Sequence, residues 1–216
     1  MLRLHSYWRS SAVYRVRIAL NLKGLDYEQV THDLRTDQQS APSYKAINPQ
    51  GLVPALDDGD HILTQSVAIL EWLEETHPNP PLLPKNAIDR ASVRALVFAV
   101  TSDIHPLNNL RILKYLKSEF GADQTALDAW AVRWISSGFD AIEELIGRHG
   151  KGFAFGDMPT LADCCLIPQV LNAQRVNLDL TPWPLIRAVN QACLDLPAFA
   201  RAHPQHQPDA DPPVDA

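Results

Sequence analysis

Four prolines fall within residues 78–84, and they restrict the folds open to this chain more than any other feature of the sequence. Proline fixes the backbone and cannot continue a helix, so this segment is a stiff boundary. Before it, apolar residues alternate between short strand-like runs and helical spacing, whereas after it only long helical periods occur. The sequence therefore predicts an α/β domain over 1–82, a Pro-rich linker over 83–89, an all-α domain over 90–203 and a flexible tail over 204–216.

The N-terminal domain is predicted to begin with a strand, a helix and a second strand. This order indicates parallel strands joined by a right-handed crossover connection. The predicted elements are the strands Leu2–Ser6 and Tyr27–Thr31, the helices Ser10–Lys23 and Ser66–His77, and a hairpin over Ala55–Leu63. Arg15 and Arg17 lie outside the apolar stripe of the first helix, and we expect them on its surface or in salt bridges.

The C-terminal domain is predicted to contain helices alone, because its periodic segments are too long for strands. They are Arg90–Val100, Leu107–Phe120, Gln124–Gly147, Leu161–Ala173 and Trp183–Ala192. Thr160 suits the N-cap of the fourth, and Asp163 can bond back to the cap amide in a capping box.

Composition excludes several classes of function. With 216 residues, a formal charge of −6 and 46% hydrophobic residues, the chain can bury a core but has no basic face for nucleic acid. No apolar run is long enough to span a membrane, so no membrane partner is expected. The three cysteines, Cys164, Cys165 and Cys193, have neither disulfide-framework nor metal-site spacing. We expect a cytoplasmic protein without a metal.

Three segments of the N-terminal domain are expected to meet at one edge of its sheet. They are the turn carrying Arg9, Ser10 and Ser11, the Val53-Pro54 step, and Gln65-Ser66 at a helix start. Helix N-termini and hydroxyls favour a bound anion, and ligands of open α/β sheets bind at such loop ends. Serine is also a common helix cap, so spacing alone leaves a purely structural role open.

The run SSAVYRVRIAL, residues 10–20, resembles the signature of zeta-class glutathione transferases. The resemblance covers nearly the whole chain apart from the tail. It extends to Asn48–Pro54, Gln65-Ser66, Trp72–Glu75, Asp103–Asn109, Gly156-Asp157, Thr160–Asp163 and Asp179–Pro182.

This resemblance implies a thioredoxin-like N-terminal domain and an all-helical C-terminal domain, which together form the glutathione transferase fold. It also implies glutathione as cosubstrate, a homodimer, and a cis peptide bond before Pro54. The residues it implies for glutathione binding are Ser10, Ser11, Gln39, Val53, Pro54, Gln65, Ser66, His105 and Asn109.

The activity implied is glutathione-dependent cis–trans isomerisation of a maleyl dianion, either maleylacetoacetate or maleylpyruvate, in the catabolism of aromatic compounds. Ser10, Ser11 and Arg9 would be catalytic, and Arg9, Arg111 and Arg175 would bind the substrate carboxylates. The family usually has cysteine after the two serines, where this chain has Ala12, so the protein supplies no thiol nucleophile there. A general transferase for electrophilic halides or α-halo acids, and a non-catalytic glutathione-binding protein, remain as alternatives.

Overall fold

The structure, a computed structural model, describes residues 1–212 and divides into two compact units. The first unit combines residues 1–82 with the C-terminal segment that starts at Leu194, and the second runs from Leu83 to Cys193. The C-terminal segment therefore belongs with the N-terminal unit, whereas the sequence placed residues up to 203 in the helical domain.

The first unit is built on a four-stranded sheet of order β2-β1-β3-β4. β1 and β2 are parallel, as the strand-helix-strand order predicts, and β3 and β4 form the antiparallel hairpin. The elements are β1 (Leu2–Ser6), α1 (Ser11–Leu22), β2 (Tyr27–Thr31), α2 (Pro42–Lys45), β3 (Ala55–Asp57), β4 (Ile62–Thr64) and α3 (Ser66–Thr76).

Helix α1 is buried on all its faces, since every residue from Val13 to Leu20 is buried. It packs against α3 and against α9 (Pro197–Ala202), which lies in the C-terminal segment. The surface position predicted for Arg15 and Arg17 is therefore wrong. Arg15 and Arg17 are 2% and 0% exposed, because Arg15 contacts Ser66 of α3 and Arg17 contacts Ala202 of α9.

The C-terminal segment is ordered along its described length, which differs from the flexible tail expected over 204–216. A short 3-10 helix, Pro204–His206, follows α9, and Gln207 after it is buried. The Gln29 side-chain amide donates to the Gln207 side chain at 2.9 Å, so β2 holds this segment in place. The composition of this segment predicted flexibility because composition does not report contacts with the other end of the chain, and those contacts bury the segment. Residues 213–216 lie outside the described residues.

The second unit contains the remaining long helices. They are α4 (Ala87–Phe98), α5 (Leu110–Phe120), α6 (Gln124–His149), α7 (Leu161–Arg175) and α8 (Pro184–Leu194). A π-helical segment, Ala99–Ile104, and a 3-10 turn, His105–Asn108, fill the stretch between α4 and α5. Within residues 1–212, no helix combines the length and the apolar character needed to cross a bilayer.

The predicted capping box of α7 is confirmed. Thr160 accepts from the backbone of Ala162, and the Asp163 carboxylate accepts from the Thr160 amide at 2.8 Å. Asp163 also accepts from the Ala154 amide at 2.8 Å. Burial raises the pKa of this carboxyl. The box therefore ties the loop before α7 to the start of the helix.

Candidate active site

One edge of the sheet collects the three predicted segments. His5 of β1 pairs with Ala55 of β3, and Ala55 pairs with Thr64 of β4, so the three residues form a row across the sheet. Because β3 is antiparallel to its neighbours, the chain leaves β1 and β4 and enters β3 at the same edge. The segments that follow β1, precede β3 and follow β4 are the ones that carry the predicted residues.

The segment after β1 is a tight turn, which we call the Tyr7–Ser10 turn. The Ser10 amide donates to the Tyr7 carbonyl at 3.0 Å and closes it. Ser10 is the N-cap of α1, and its hydroxyl oxygen accepts from the Val13 amide at 3.3 Å. A capping hydroxyl keeps its hydrogen for a second acceptor. Ser11 follows as the first helical residue and is 8% exposed, while Arg9 is exposed.

The segment after β4 leads into α3 through a strained residue. Gln65 has φ 68° and ψ 119°, a left-handed backbone that is costly for a residue with a side chain. The side chain of the N-cap residue, Gln65, does not bond the first amides of α3, so it leaves these amides to solvent or to a ligand. The Gln65 side chain instead donates to Gln50 at 2.7 Å.

Ser66 lies beside a buried cation that sequence reasoning missed. The Arg15 guanidinium donates to the Ser66 hydroxyl oxygen at 3.1 Å, and both residues are buried. The start of α3 thus combines uncapped amides, a hydroxyl and a guanidinium, which together favour a carboxylate. A periodicity argument could not find this contact, because it joins two helices 51 residues apart.

The segment before β3 contains a cis peptide bond between Val53 and Pro54, as the resemblance implied. Val53 is 8% exposed. Gly51 precedes it with φ +62°, and a Cβ there would come within 3.0 Å of the Gln39 carbonyl oxygen, so a larger residue would be strained and crowded. Gln39 donates from its amide to Asp37 at 3.1 Å, and its side-chain oxygen is buried without a hydrogen-bond partner in residues 1–212.

The remaining predicted site residues lie in the second unit. His105 begins the 3-10 turn, and Asn109 is the N-cap of α5, accepting from the Arg111 amide at 3.1 Å. Arg111 is exposed in the first turn of α5. Arg175, in the last turn of α7, donates to the Asn172 side chain at 2.9 Å. His105, Asn109 and Arg111 are thus close together in the sequence, whereas Arg175 lies on a separate helix.

Two family models match the chain. The model described as glutathione S-transferase, N-terminal domain, matches residues 4–81, and that described as glutathione S-transferase, C-terminal domain, matches residues 124–195. This chain belongs to the glutathione transferase family. The resemblance seen in its motifs and the expected two-domain fold are therefore confirmed.

Individual relatives are similar over nearly their whole length. A maleylpyruvate isomerase of Ralstonia sp is 54% identical over 97% of this chain and 100% of its own. A solved structure of a maleyl pyruvate isomerase, described as a bacterial zeta-class glutathione transferase, has a TM-score of 0.95 at 54% identity, with coverage of 97% and 100%. A maleylacetoacetate isomerase of Anaeromyxobacter dehalogenans, solved with dicarboxyethyl glutathione and citrate, has a TM-score of 0.89 at 46% identity, and 98% of each chain is covered.

The residues of the first unit fit glutathione as the transferase's cosubstrate. Its γ-glutamyl carboxylate suits the uncapped start of α3 beside Arg15 and Ser66. Its thiol suits the Ser10 hydroxyl at the N-terminus of α1, where the helix dipole favours a negative charge. Within residues 1–212, no group of three His, Cys, Asp or Glu side chains is placed to hold a metal ion.

Proposed function

We propose that this transferase is a glutathione-dependent cis–trans isomerase of maleyl dianions. When bound, glutathione supplies a thiolate that adds reversibly to the cis double bond of the substrate, so that the bond can rotate before the thiolate leaves. The reaction is an isomerisation, with no net oxidation or reduction. The protein has to stabilise that thiolate and orient two carboxylates.

The roles of the residues follow from their chemistry. Ser10 donates a hydrogen bond to the sulfur and lowers the pKa of the bound thiol, with Ser11 beside it at the same helix start. Val53, held before the cis Pro54, offers its backbone to the cysteinyl part. Gln65 and Ser66 hold the γ-glutamyl group.

Six further residues complete the proposed glutathione and substrate contacts. Gln39, His105 and Asn109 are additional glutathione contacts. Arg9, Arg111 and Arg175 pair with the substrate carboxylates, because a guanidinium binds a carboxylate through two parallel hydrogen bonds.

The ligand of one relative carries this proposal. Dicarboxyethyl glutathione, seen in the 46% identical maleylacetoacetate isomerase, is glutathione with a dicarboxylate joined to its sulfur. Addition of a thiol across the double bond of a four-carbon unsaturated dicarboxylate gives this compound. The 54% identical relative is named for maleylpyruvate, so we propose maleylpyruvate as the first substrate to assay, with maleylacetoacetate second.

The direct test is isomerisation of each maleyl substrate with and without glutathione. Conversion to the fumaryl isomer should require glutathione and consume none of it. The Ala12→Cys variant should keep the same strict dependence, because the thiolate comes from glutathione. Conversion without glutathione, by either form, would contradict the proposal. Stoichiometric loss of glutathione would instead favour a general transferase.

Substituting the arginines separates the isomerase from a general transferase. Arg111→Ala and Arg175→Ala should raise KM for maleyl dianions by roughly ten- to a hundredfold, the range of one lost hydrogen bond to a charged group. Turnover of a neutral dinitrohalobenzene should barely change. Equal losses on both substrates would mean that these arginines support the fold or glutathione binding, and would remove the support for an anionic substrate.

We also propose that the protein is a homodimer. Helix α4 exposes Ile88 by 77% and Phe98 by 46%, and large apolar side chains at such exposure favour burial in an interface. Sedimentation equilibrium should give twice the chain mass, and Ile88→Glu should shift the equilibrium toward monomer. A wild-type monomer at assay concentration would contradict this proposal.

A cytoplasmic location in the breakdown of aromatic compounds completes the proposal. All three cysteines are buried thiols outside any disulfide, which suits a reducing compartment. Fractionation of cells, with the isomerase assay on each fraction, is the measurement. Activity in an oxidising compartment would contradict it.

A further inference from the structure

The central peptide groups of the Tyr7–Ser10 turn are held from outside the turn. The Trp8 amide donates to an Asp209 carboxylate oxygen at 2.9 Å, across 201 residues of sequence. The Trp8 carbonyl accepts from the Arg17 guanidinium at 3.0 Å. Trp8 is 6% exposed. Its backbone is thus fixed on both sides, directly before Arg9 and Ser10.

Asp209 occupies a defined place because the segment before it is anchored. The Gln207 side chain is buried and accepts from Gln29, and its amide donates to the backbone carbonyls of Arg201 and His203 at 2.9 and 2.7 Å. The Ala210 amide donates to the Gln207 carbonyl at 3.1 Å, which closes a turn around Asp209. The carboxylate is therefore presented to Trp8 by a fixed backbone.

We propose that Asp209 is a positioning residue for the reaction, acting through the Trp8 peptide on Arg9 and Ser10. The inference rests on the proposed function, in which Ser10 bonds the glutathione sulfur. Ser10 follows Trp8 by two residues in a turn that a single internal hydrogen bond closes, from the Ser10 amide to the Tyr7 carbonyl. The Asp209 carboxylate accepts from the Trp8 amide and so holds that turn from outside it.

Position has a large effect on a site of this kind. A donor stabilises a thiolate only at hydrogen-bond distance, and a displacement of about 1 Å can cost a hundredfold in rate. Loss of the Asp209 contact releases the Trp8 amide and lets the turn rotate. The Ser10 hydroxyl then points at the sulfur for a smaller fraction of the time. The backbone that carries the Arg9 side chain is also no longer held in place.

The test compares Asp209→Ala, Asp209→Asn and Asp211→Ala in the full chain. Asparagine keeps an acceptor for the Trp8 amide and removes the charge. Asp211 provides the matched control, since it lies two residues further on and its half-exposed carboxylate bonds Arg35. Each variant is measured for thermal midpoint, for kcat/KM in isomerisation, and for the pH at which the thiolate of bound glutathione forms, followed by its ultraviolet absorbance.

Asp209→Ala should lower kcat/KM by about tenfold, the lower end of the range for one hydrogen bond to a charged group, and should raise the pH of thiolate formation. Asp209→Asn and Asp211→Ala should stay within about twofold of the wild type in kcat/KM, since each keeps an acceptor for the Trp8 amide.

The charged groups near this turn are Arg9, Arg17, Arg35, Asp33 and Asp211, so a through-space effect has to be separated from positioning. If charge were the cause, both substitutions of Asp209 would lower the pH of thiolate formation together. That result would overturn the inference, and so would an Asp209→Ala enzyme with wild-type kinetics. A wild-type protein that neither binds glutathione nor isomerises the substrates would instead contradict the proposed function itself.

Discussion

Ser10 illustrates how a single side chain can serve both the fold and the chemistry. Its oxygen accepts from the Val13 amide and caps α1, while its hydrogen remains for the sulfur of a bound thiol. Ser10 therefore does cap α1 in the structure. The proposed chemistry uses the hydroxyl hydrogen, which the cap does not use. A substitution has to be designed so that the two roles are measured separately.

We expect Ser10→Ala to raise the pH at which glutathione-bound activity half-develops by about one to two units, because a charged hydrogen bond corresponds to roughly 1.5–3 kcal/mol. Turnover should fall more than in Ser11→Ala. The lost cap should also lower the free energy of unfolding by about 1 kcal/mol. Ser10→Thr keeps both roles and should restore them. A pH–rate profile with denaturation curves checks this, and an unchanged profile for Ser10→Ala would remove Ser10 from the mechanism.

At the scale of single elements, the ends of the helices are tied down by buried polar groups. The Lys23 ammonium at the C-cap of α1 donates to the Glu74 carboxylate of α3 at 2.8 Å and to the carbonyls of His77 and Pro80 at 2.7 and 3.0 Å. The lysine side chain is 0% exposed and that of Glu74 is 7% exposed. One ammonium therefore connects two helices and the chain that leaves the second.

Lys23→Met should lower the free energy of unfolding by about 3–5 kcal/mol, because it leaves the Glu74 carboxylate buried without its counter-charge. Adding Glu74→Leu to that variant should recover part of the loss. The i,i+4 pair of Arg148 with Glu144 is exposed at 3.8 Å, and its removal should cost at most about 0.5 kcal/mol. Urea unfolding of all variants measures the free energy of unfolding lost at each pair. An equal loss at the buried and the exposed pair would contradict this prediction.

Asp163→Ala should also destabilise the protein, by about 3 kcal/mol, since two buried amides, those of Ala154 and Thr160, lose their acceptor. Asp179 makes a matched control, because its carboxylate accepts from the backbone and hydroxyl of Thr181 in an exposed turn. Asp179→Ala should change the denaturation midpoint far less. Similar denaturation midpoints for the two variants would show that the capping box does not owe its stabilising effect to burial.

The whole molecule should lose stability in mild acid because of a histidine pair, one member in β1 and the other directly after β2. His5 Nδ1 lies 3.0 Å from His32 Nε2, and the His32 ring packs on Tyr44 at 4.4 Å. Burial lowers the pKa of both histidines, and each imidazolium would further disfavour the other. The folded protein therefore binds protons more weakly at this pair than the unfolded chain does.

The sign of the pH dependence follows from this difference. Well above pH 6.5 the histidines are neutral in both states, and as the pH falls through 6.5 the unfolded chain takes up protons first, so stability falls. His32→Gln should flatten the decline in the free energy of unfolding between pH about 6.5 and 5. His61→Asn, an exposed histidine, should not. A wild-type protein equally stable across this range would contradict the interpretation of the pair.

The sequence by itself determined the local structure of this protein and its family. Strand alternation, helical periodicity, the hairpin and the capping box at Thr160 depend on neighbours within a few residues, so pattern suffices to predict them. The motif from Ser10 to Leu20 indicated the glutathione transferases, because the chemistry of a site requires particular residue types at a fixed spacing. The meeting of the three predicted segments at one edge of the sheet was also predicted, whereas the register that places His5, Ala55 and Thr64 in a row came from the structure.

Only the tertiary structure decided the environment of the charged residues. Arg17 is buried because α9 returns over α1 and accepts a hydrogen bond through the Ala202 carbonyl, 185 residues away. Arg15 meets Ser66 and Asp209 meets Trp8 in the same manner, across distant parts of the chain. Periodicity reports which face of a helix is apolar. It cannot report that a distant segment will cover the opposite face, since that depends on contacts formed only after the chain has folded.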